Sequence, residues 1–82
     1  IVDDILDQGH TAEAIMKWLK DHGASDVSLC VLLDKSIPEN KSVTADYVGA
    51  NIPDQYVFGF GMDINEYWRN LPAIYIYKGE EV

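Results

Sequence analysis

One pattern limits the possible folds of this chain more than any other: a helical stretch followed directly by an apolar run. In TAEAIMKWLKDHG (residues 11–23) apolar residues recur at helical spacing, and Thr11 can cap the helix at its start. DVSLCVLL (residues 26–33) is almost continuously apolar, which is typical of a strand buried in a parallel sheet. Ile1 and Val2 resemble the last residues of an earlier strand. Strand, helix and strand in this order predict a right-handed βαβ unit and therefore an α/β fold.

The rest of the chain contains three shorter strand candidates: DYVGANI, QYVFGF and AIYIY (residues 46–52, 55–60 and 73–77). The alternation of Ile and Tyr in the last one predicts two differently solvated faces. The polar segments between the strands predict loops. A strand usually has about five or six residues. We therefore expect most of the first strand, and the N-terminal portion of the sheet, to be missing here.

Length and charge narrow the classes of function. The chain has 82 residues, enough for one domain, and its net charge of −8 comes from 14 acidic and six basic residues. This charge argues against binding to nucleic acid or to an anionic membrane, because both require a basic surface. Cys30 is the single cysteine, so no disulfide can form within the chain, which indicates a reducing, cytoplasmic compartment.

The most informative motif is the acidic turn IVDDILDQGHT at the start of the chain. Backbone N–H groups at a helix N-terminus can bind a phosphate, and Gly9 permits the close approach this requires. The carboxylates of Asp3 and Asp4 can accept hydrogen bonds from a ribose diol. A 5′-phosphorylated ribose is therefore a coherent ligand. The plain alternative is that these acids only complement the helix dipole, with His10 as an exposed turn residue.

The same motif resembles the phosphoribosyl-pyrophosphate signature of the type I phosphoribosyltransferases. LLDKSIP, DYVGANIPDQYVFGFGMD and NEYWRNLP resemble, in order and spacing, the C-terminal half of the hypoxanthine–guanine phosphoribosyltransferases. The resemblance covers essentially residues 1–82. It implies the C-terminal half of a single domain with a partial type I phosphoribosyltransferase fold, mainly a parallel sheet with a flanking helix. It also implies transfer of the 5-phosphoribosyl group to hypoxanthine or guanine, a Mg²⁺ cofactor, small-molecule substrates and a homodimeric or homotetrameric parent.

The resemblance further implies roles for residues of the acidic turn. Asp3 and Asp4 are expected to hold the ribose hydroxyls with Mg²⁺ nearby, and Asp7 to be the general base facing purine N7. The 5′-phosphate is expected to bind to Asp7, Gln8, Gly9, His10 and Thr11. Many relatives have Glu at the position of Asp3, Thr at that of Gln8, and Lys or Arg at that of His10.

Four later positions complete the purine site that the resemblance implies. Lys35 is expected to donate to the purine 6-oxo group, Tyr56 to stack on the base, and the Val57 backbone to contact the base edge. Asp63 is expected to border the purine and to bind Mg²⁺ together with Asp3. A lysine donor favours a 6-oxopurine over adenine, whose amine is itself a donor. The plain alternatives, without the resemblance, are a solvated strand-end lysine for Lys35 and core packing for Tyr56.

Beyond the purine site, Arg69 is expected to contact pyrophosphate, the plain alternative being a surface ion pair with Glu66. Three alternative functions stay open: an RNA-binding regulator with this fold, an inert fragment that needs its upstream half, and an enzyme that prefers xanthine or adenine, of which Lys35 disfavours only adenine. The absent upstream half would carry the pyrophosphate loop and a mobile lid, so we expect residues 1–82 alone to be inactive.

Overall fold

The computed structural model of the chain describes residues 1–37 and 41–78. Within these residues the chain forms one helix and five strands. In chain order they are β1 (Val2–Leu6), α1 (His10–Asp21), β2 (Cys30–Ser36), β3 (Tyr47–Pro53), β4 (Tyr56–Phe58) and β5 (Tyr75–Tyr77). No helix in the described part is long and apolar enough to cross a membrane.

A three-stranded sheet in the order β1-β2-β3 forms the centre of the fold. Both strand pairs are parallel, with Ile5 opposite Leu33 and Leu33 opposite Ala50. The helix α1 connects β1 to its parallel neighbour β2, as the pattern of the sequence predicts. The α/β fold with a parallel sheet and a flanking helix is confirmed. The carboxyl ends of β1 and β2 lie side by side, and ligands of parallel sheets bind at that edge.

The first strand and the start of the helix differ from the prediction. β1 does not end at Val2 but continues to Leu6, so Asp3 and Asp4 lie within a strand. Their side chains are exposed, and the ladder needs only their backbones. Thr11 is not the N-cap. Gly9 occupies that position with a left-handed φ of 95°, and the helix has no side-chain cap.

The second strand begins and ends later than predicted. Residues 26–29 precede it, and it continues to Ser36, so Lys35 is a strand residue and not part of a loop. Leu29 ends the preceding segment fully buried, with its N–H bound to the Asp46 carboxylate at 2.7 Å. Burial alternates along β2, and Leu32 is 39% exposed. One face of β2 is therefore buried, whereas the apolar run predicted burial on both faces.

The core consists of two small hydrophobic clusters. The first, between the helix and the sheet, contains Leu6, Ala12, Leu29 and Val31, with Ile1, Val43 and Ala45 at its edge. The second contains Leu33, Val57 and Met62, with Ile5 and Ile52 at its edge. This second cluster holds β4 against the sheet, because Val57 of β4 packs in the same cluster as Leu33 of β2.

The strands β4 and β5 form a separate antiparallel pair, with Val57 opposite Ile76. All three residues of β5 are exposed. The prediction that the two faces of AIYIY differ in solvent exposure is therefore wrong for these residues. The long turn between the two strands folds back tightly at Gly59, where an added Cβ would lie 2.4 Å from the carbonyl oxygen of Ala73. This turn places Asp63 near the sheet.

Candidate functional site

A cavity of about 350 Å³ opens at the junction of β1 and α1. Its lining is one continuous stretch of chain, residues 3–12. The structure therefore brings together all the residues for which the sequence predicts ribose and 5′-phosphate contacts. Their individual roles stay predictions, since placement alone does not show what a side chain binds.

Backbone donors at the start of α1 face this cavity without a side-chain cap. The first helical hydrogen bond runs from the Glu13 N–H to the Gly9 carbonyl oxygen, at 2.9 Å. The N–H groups of the preceding residues have no partner within a helix, and they carry the positive end of the helix dipole. Gly9 is necessary for this geometry, because its φ is left-handed and an added Cβ would lie 3.1 Å from Val43 Cγ2.

Two neighbouring carboxylates form the strand side of the cavity. The Asp4 N–H donates to Asp3 Oδ1 at 2.8 Å, which fixes the orientation of the Asp3 side chain. Partial desolvation raises the pKa of Asp4 above its ordinary value of 3.8, and the adjacent Asp3 raises it further by hydrogen bonding and by charge repulsion. A cation or the hydroxyl hydrogens of a diol would relieve this repulsion.

A second cavity of about 180 Å³ lies next to the first. Its lining comes from β1, the turn after β1, β2, β4 and the turn after β4: Asp4, Ile5, Asp7, Lys35, Tyr56, Val57, Met62 and Asp63. Asp4, Ile5 and Asp7 line both cavities. A ligand with a sugar in the first cavity and a flat ring in the second would therefore pass beside Asp7.

An ion pair links two residues of the second cavity. Lys35 Nζ lies 3.1 Å from Asp7 Oδ2. Lys35 is only 8% exposed, whereas Asp7 is exposed, so the ammonium is largely desolvated and the carboxylate is not. The solvated strand-end alternative for Lys35 is wrong. A donor and an acceptor are thus held side by side at the edge of the cavity.

The two residues predicted to contact the purine base, the aromatic Tyr56 and the apolar Val57, both lie on β4. Tyr56 is 52% exposed and packs edge-on against Tyr77, with 6.1 Å between the ring centroids. Tyr56 is therefore not a core residue. Val57 is buried in the second hydrophobic cluster and lines the second cavity.

Asp63 and Arg69 contact each other at the far side of the second cavity. Asp63 Oδ2 accepts the Glu66 N–H at 2.8 Å, and Asp63 Oδ1 lies 3.7 Å from Arg69 Nη2. Arg69 also donates to the Gly61 carbonyl oxygen at 3.1 Å, and it lines neither cavity. The structure thus brings Asp63 to the site but leaves Arg69 outside it. Arg69 therefore pairs with Asp63 and not with the Glu66 side chain, which was the alternative prediction.

The segment Lys41–Val43 supports the turn after β1 from behind, and no sequence pattern predicts this. Lys41 Nζ donates to the Leu6 carbonyl oxygen at 3.3 Å and forms an ion pair with Asp34. The Ser42 N–H donates to the Gln8 carbonyl oxygen at 3.3 Å. These residues lie in a polar loop that the sequence alone marks only as a loop, because nothing in its pattern indicates contacts with β1.

Comparison with known proteins identifies the family. A model of the phosphoribosyl transferase domain matches residues 1–66, which is most of the chain. The chain belongs to the phosphoribosyl transferase domain family. The match includes every residue that lines the two cavities and ends before Arg69 and β5.

Individual members of the phosphoribosyl transferase family show the same relationship. The chain is 39% identical over 80 residues to the hypoxanthine-guanine phosphoribosyltransferase of Staphylococcus epidermidis, covering 98% of this chain and 45% of that protein. It is 42% identical over 80 residues to the bifunctional protein TilS/HprT of Listeria innocua, covering 98% of this chain and 12% of that protein. The chain thus spans less than half the length of these relatives.

A solved structure of the family agrees with the fold. The hypoxanthine phosphoribosyltransferase of Staphylococcus aureus superposes with a TM-score of 0.86 at 38% identity, over 95% of this chain and 42% of that one. The resemblance that the sequence motifs indicate is therefore confirmed, and with it the type of fold.

Proposed function

We propose that the protein containing this chain transfers the 5-phosphoribosyl group from phosphoribosyl pyrophosphate to hypoxanthine or guanine. The products are the purine nucleoside monophosphate and pyrophosphate. The observation that carries the proposal is the pair of adjoining cavities, one beside uncapped helix N–H groups and one beside Lys35 and Tyr56, which share Asp4 and Asp7. The names of the relatives in the same family supply the choice of purine.

The first cavity suits a ribose 5-phosphate. Residues Gln8, Gly9, His10 and Thr11 surround the start of α1, where backbone N–H groups can donate to three phosphate oxygens. The Asp3 and Asp4 carboxylates, on the opposite side, can accept hydrogen bonds from the 2′- and 3′-hydroxyls. In this arrangement the anomeric carbon would lie between the two cavities, next to Asp7.

The second cavity suits a 6-oxopurine. The Lys35 ammonium can donate to the 6-oxo group, and the neighbouring Asp7 carboxylate can accept the proton of N7. Asp7 would then act as general base while N9 attacks the anomeric carbon and the bond to pyrophosphate breaks. Tyr56 offers an exposed ring on which the base can stack, and the Val57 backbone borders its edge.

The carboxylates also fit a magnesium ion. Among residues 1–37 and 41–78 no cluster of three or more metal-ligating side chains occurs. Mg²⁺ is typically held by one or two carboxylates together with substrate phosphates, so such a cluster is not required. Asp3 fits this role with Asp4 beside it, because their mutual repulsion favours a cation. Asp63 fits less well, since Arg69 and the Glu66 N–H already share its oxygens. When bound, Mg²⁺ would neutralise charge on the departing pyrophosphate.

The remaining parts of the proposal concern the whole protein. Arg69 would contact pyrophosphate only after leaving Asp63, since it lies outside both cavities. The protein would be a cytoplasmic homodimer or homotetramer that acts on small molecules and binds neither nucleic acid nor membrane. The free thiol of Cys30 is in keeping with a reducing compartment.

A steady-state assay tests the proposal. The purified protein is supplied with phosphoribosyl pyrophosphate, Mg²⁺ and one purine at a time, and nucleotide formation is followed by absorbance. We expect turnover with hypoxanthine and guanine, little or none with adenine, and loss of activity when Mg²⁺ is chelated. Xanthine, tested in parallel, decides whether the 2-oxo group is tolerated. Equal rates with adenine, or no nucleotide with any purine, would exclude the proposed reaction.

A further inference from the structure

The backbone on both sides of Asp7 is held by residues from another part of the chain. Lys41 Nζ donates to the carbonyl oxygen of Leu6, the residue before Asp7, at 3.3 Å. The Ser42 N–H donates to the carbonyl oxygen of Gln8, the residue after Asp7, also at 3.3 Å. Because a peptide unit is planar, a hydrogen bond to its oxygen fixes the orientation of the whole unit. The position of Asp7 therefore depends on contacts made from behind the turn.

The Lys41 side chain is itself fixed by an ion pair with Asp34. Both side chains are largely buried, with 14% of Lys41 and 23% of Asp34 exposed. Asp34 lies opposite Leu6 in the pairing of β1 with β2, so the ammonium joins the ends of the two strands. An ammonium with this little access to water depends on its protein oxygens for solvation, and this holds it in place.

The other anchor of Asp7 depends on the ligand. The Asp7 carboxylate lies 3.1 Å from the Lys35 ammonium, which under the proposed function also donates to the purine. Lys35 therefore divides its hydrogen bonds between Asp7 and the base when the second cavity is filled. Lys41 lines neither cavity, so its contact with the Leu6 carbonyl oxygen is the same with and without a purine. The backbone before Asp7 thus has an anchor that the substrate does not compete for.

We propose that Lys41 is a positioning residue for Asp7: it holds the peptide unit before Asp7 so that the carboxylate stays within reach of purine N7. This inference rests on the proposed function, which makes Asp7 the general base. Proton transfer requires the carboxylate oxygen to lie about 2.6–3.2 Å from the nitrogen. Because Lys41 lies outside both cavities, its loss should slow the chemical step and leave substrate binding largely unchanged.

Steady-state kinetics of the whole protein test this role. Misplacing a reacting group by about 1 Å can cost about 10²-fold in rate, so Lys41→Met should lower kcat with hypoxanthine about 10- to 100-fold and change its KM less than about threefold. Lys41→Arg should recover most of the lost kcat, because a guanidinium can donate both to the Asp34 carboxylate and to the Leu6 carbonyl oxygen. Lys17→Met is the matched control, since it removes an exposed lysine of α1 and should leave kcat unchanged.

A double-mutant cycle with Asp7→Asn separates positioning from a general loosening of the fold. In Asp7→Asn the side chain that Lys41 positions can no longer accept a proton. Adding Lys41→Met to Asp7→Asn should therefore lower the residual kcat by less than about threefold, far less than Lys41→Met lowers it in the wild type. A purely structural role would lower kcat by the same factor in both backgrounds, because independent effects add in free energy.

A second variant keeps the test independent of stability. Lys41→Met alone leaves the partly buried Asp34 carboxylate without its ion-pair partner, which destabilises the fold. Lys41→Met combined with Asp34→Asn removes both charges, so it should remain folded by circular dichroism and show the same fall in kcat. An unchanged kcat in this double variant, or an equal loss with and without Asp7→Asn, would overturn the role of Lys41 and leave the reaction intact. Absence of nucleotide formation by the wild-type protein would overturn both that role and the proposed function.

Discussion

Replacing Lys35 by Met separates purine recognition from folding. Methionine keeps the unbranched length of the side chain and removes the ammonium. A hydrogen bond from a charged donor contributes roughly 1.5–3 kcal/mol, so losing the donor to the 6-oxo group should raise the KM for hypoxanthine and guanine about 10- to 100-fold. The KM for phosphoribosyl pyrophosphate should change by less than about threefold, because Lys35 does not line the first cavity.

Stability should change little in the same variant. The partner of Lys35 is the Asp7 carboxylate, whose side chain is 55% exposed, so it can be solvated after the ammonium is gone. Ion pairs of this kind contribute at most about 1 kcal/mol, and removing a desolvated ammonium offsets part of that. Thermal or urea unfolding of Lys35→Met should therefore stay within about 1 kcal/mol of the wild type.

Lys41→Met is the matched control. Lys41 is another largely buried lysine near the same edge of the sheet, but it lines neither cavity and binds Asp34 and the Leu6 carbonyl oxygen. We expect it to lower stability and leave the preference for 6-oxopurines over adenine unchanged. The reasoning about Lys35 fails if both variants change purine selectivity equally, or if Lys35→Met changes only the unfolding free energy.

Three further changes test the first cavity and its edges. Asp7→Asn removes the base and should lower kcat by about 10²- to 10⁴-fold with far smaller changes in KM, as steady-state kinetics would show. Gly9→Ala should lower the free energy of urea unfolding by about 1–2 kcal/mol because of its left-handed φ, and by a further amount because the new Cβ would contact Val43. Gly23→Ala, where φ is 104° and no atom lies near the added Cβ, should show the conformational cost alone. The raised pKa of Asp4 stabilises the folded state at low pH, and this contribution is lost as pH rises through the folded-state pKa. Asp4→Asn should therefore gain in Tm over the wild type as pH rises above about 4, and equal Tm differences at pH 3 and pH 7 would contradict this.

The sequence by itself determined the βαβ unit and the family. Apolar residues at helical spacing in 11–23 and the apolar run after them are local patterns, and local patterns follow directly from helix and strand geometry. The acidic turn is likewise continuous in the chain, so the residues lining the first cavity could be named before the fold was known. The boundaries of β1 and β2 could not, because backbone pairing with a neighbouring strand overrides the polarity of Asp3, Asp4 and Lys35.

Only the tertiary structure decided how distant segments meet at the site. Parallel pairing of β1 and β2 places Lys35 against Asp7, 28 residues earlier in the chain. The packing of Val57 and Met62 on Leu33 brings β4 and Asp63 to the second cavity. Ser42 reaches His10 across 32 residues. Such contacts depend on strand register and on which side chains fill the core, and neither is encoded in any short stretch of sequence. This is why the residues of the first cavity could be named from the sequence, whereas the Lys41–Val43 segment behind them could not.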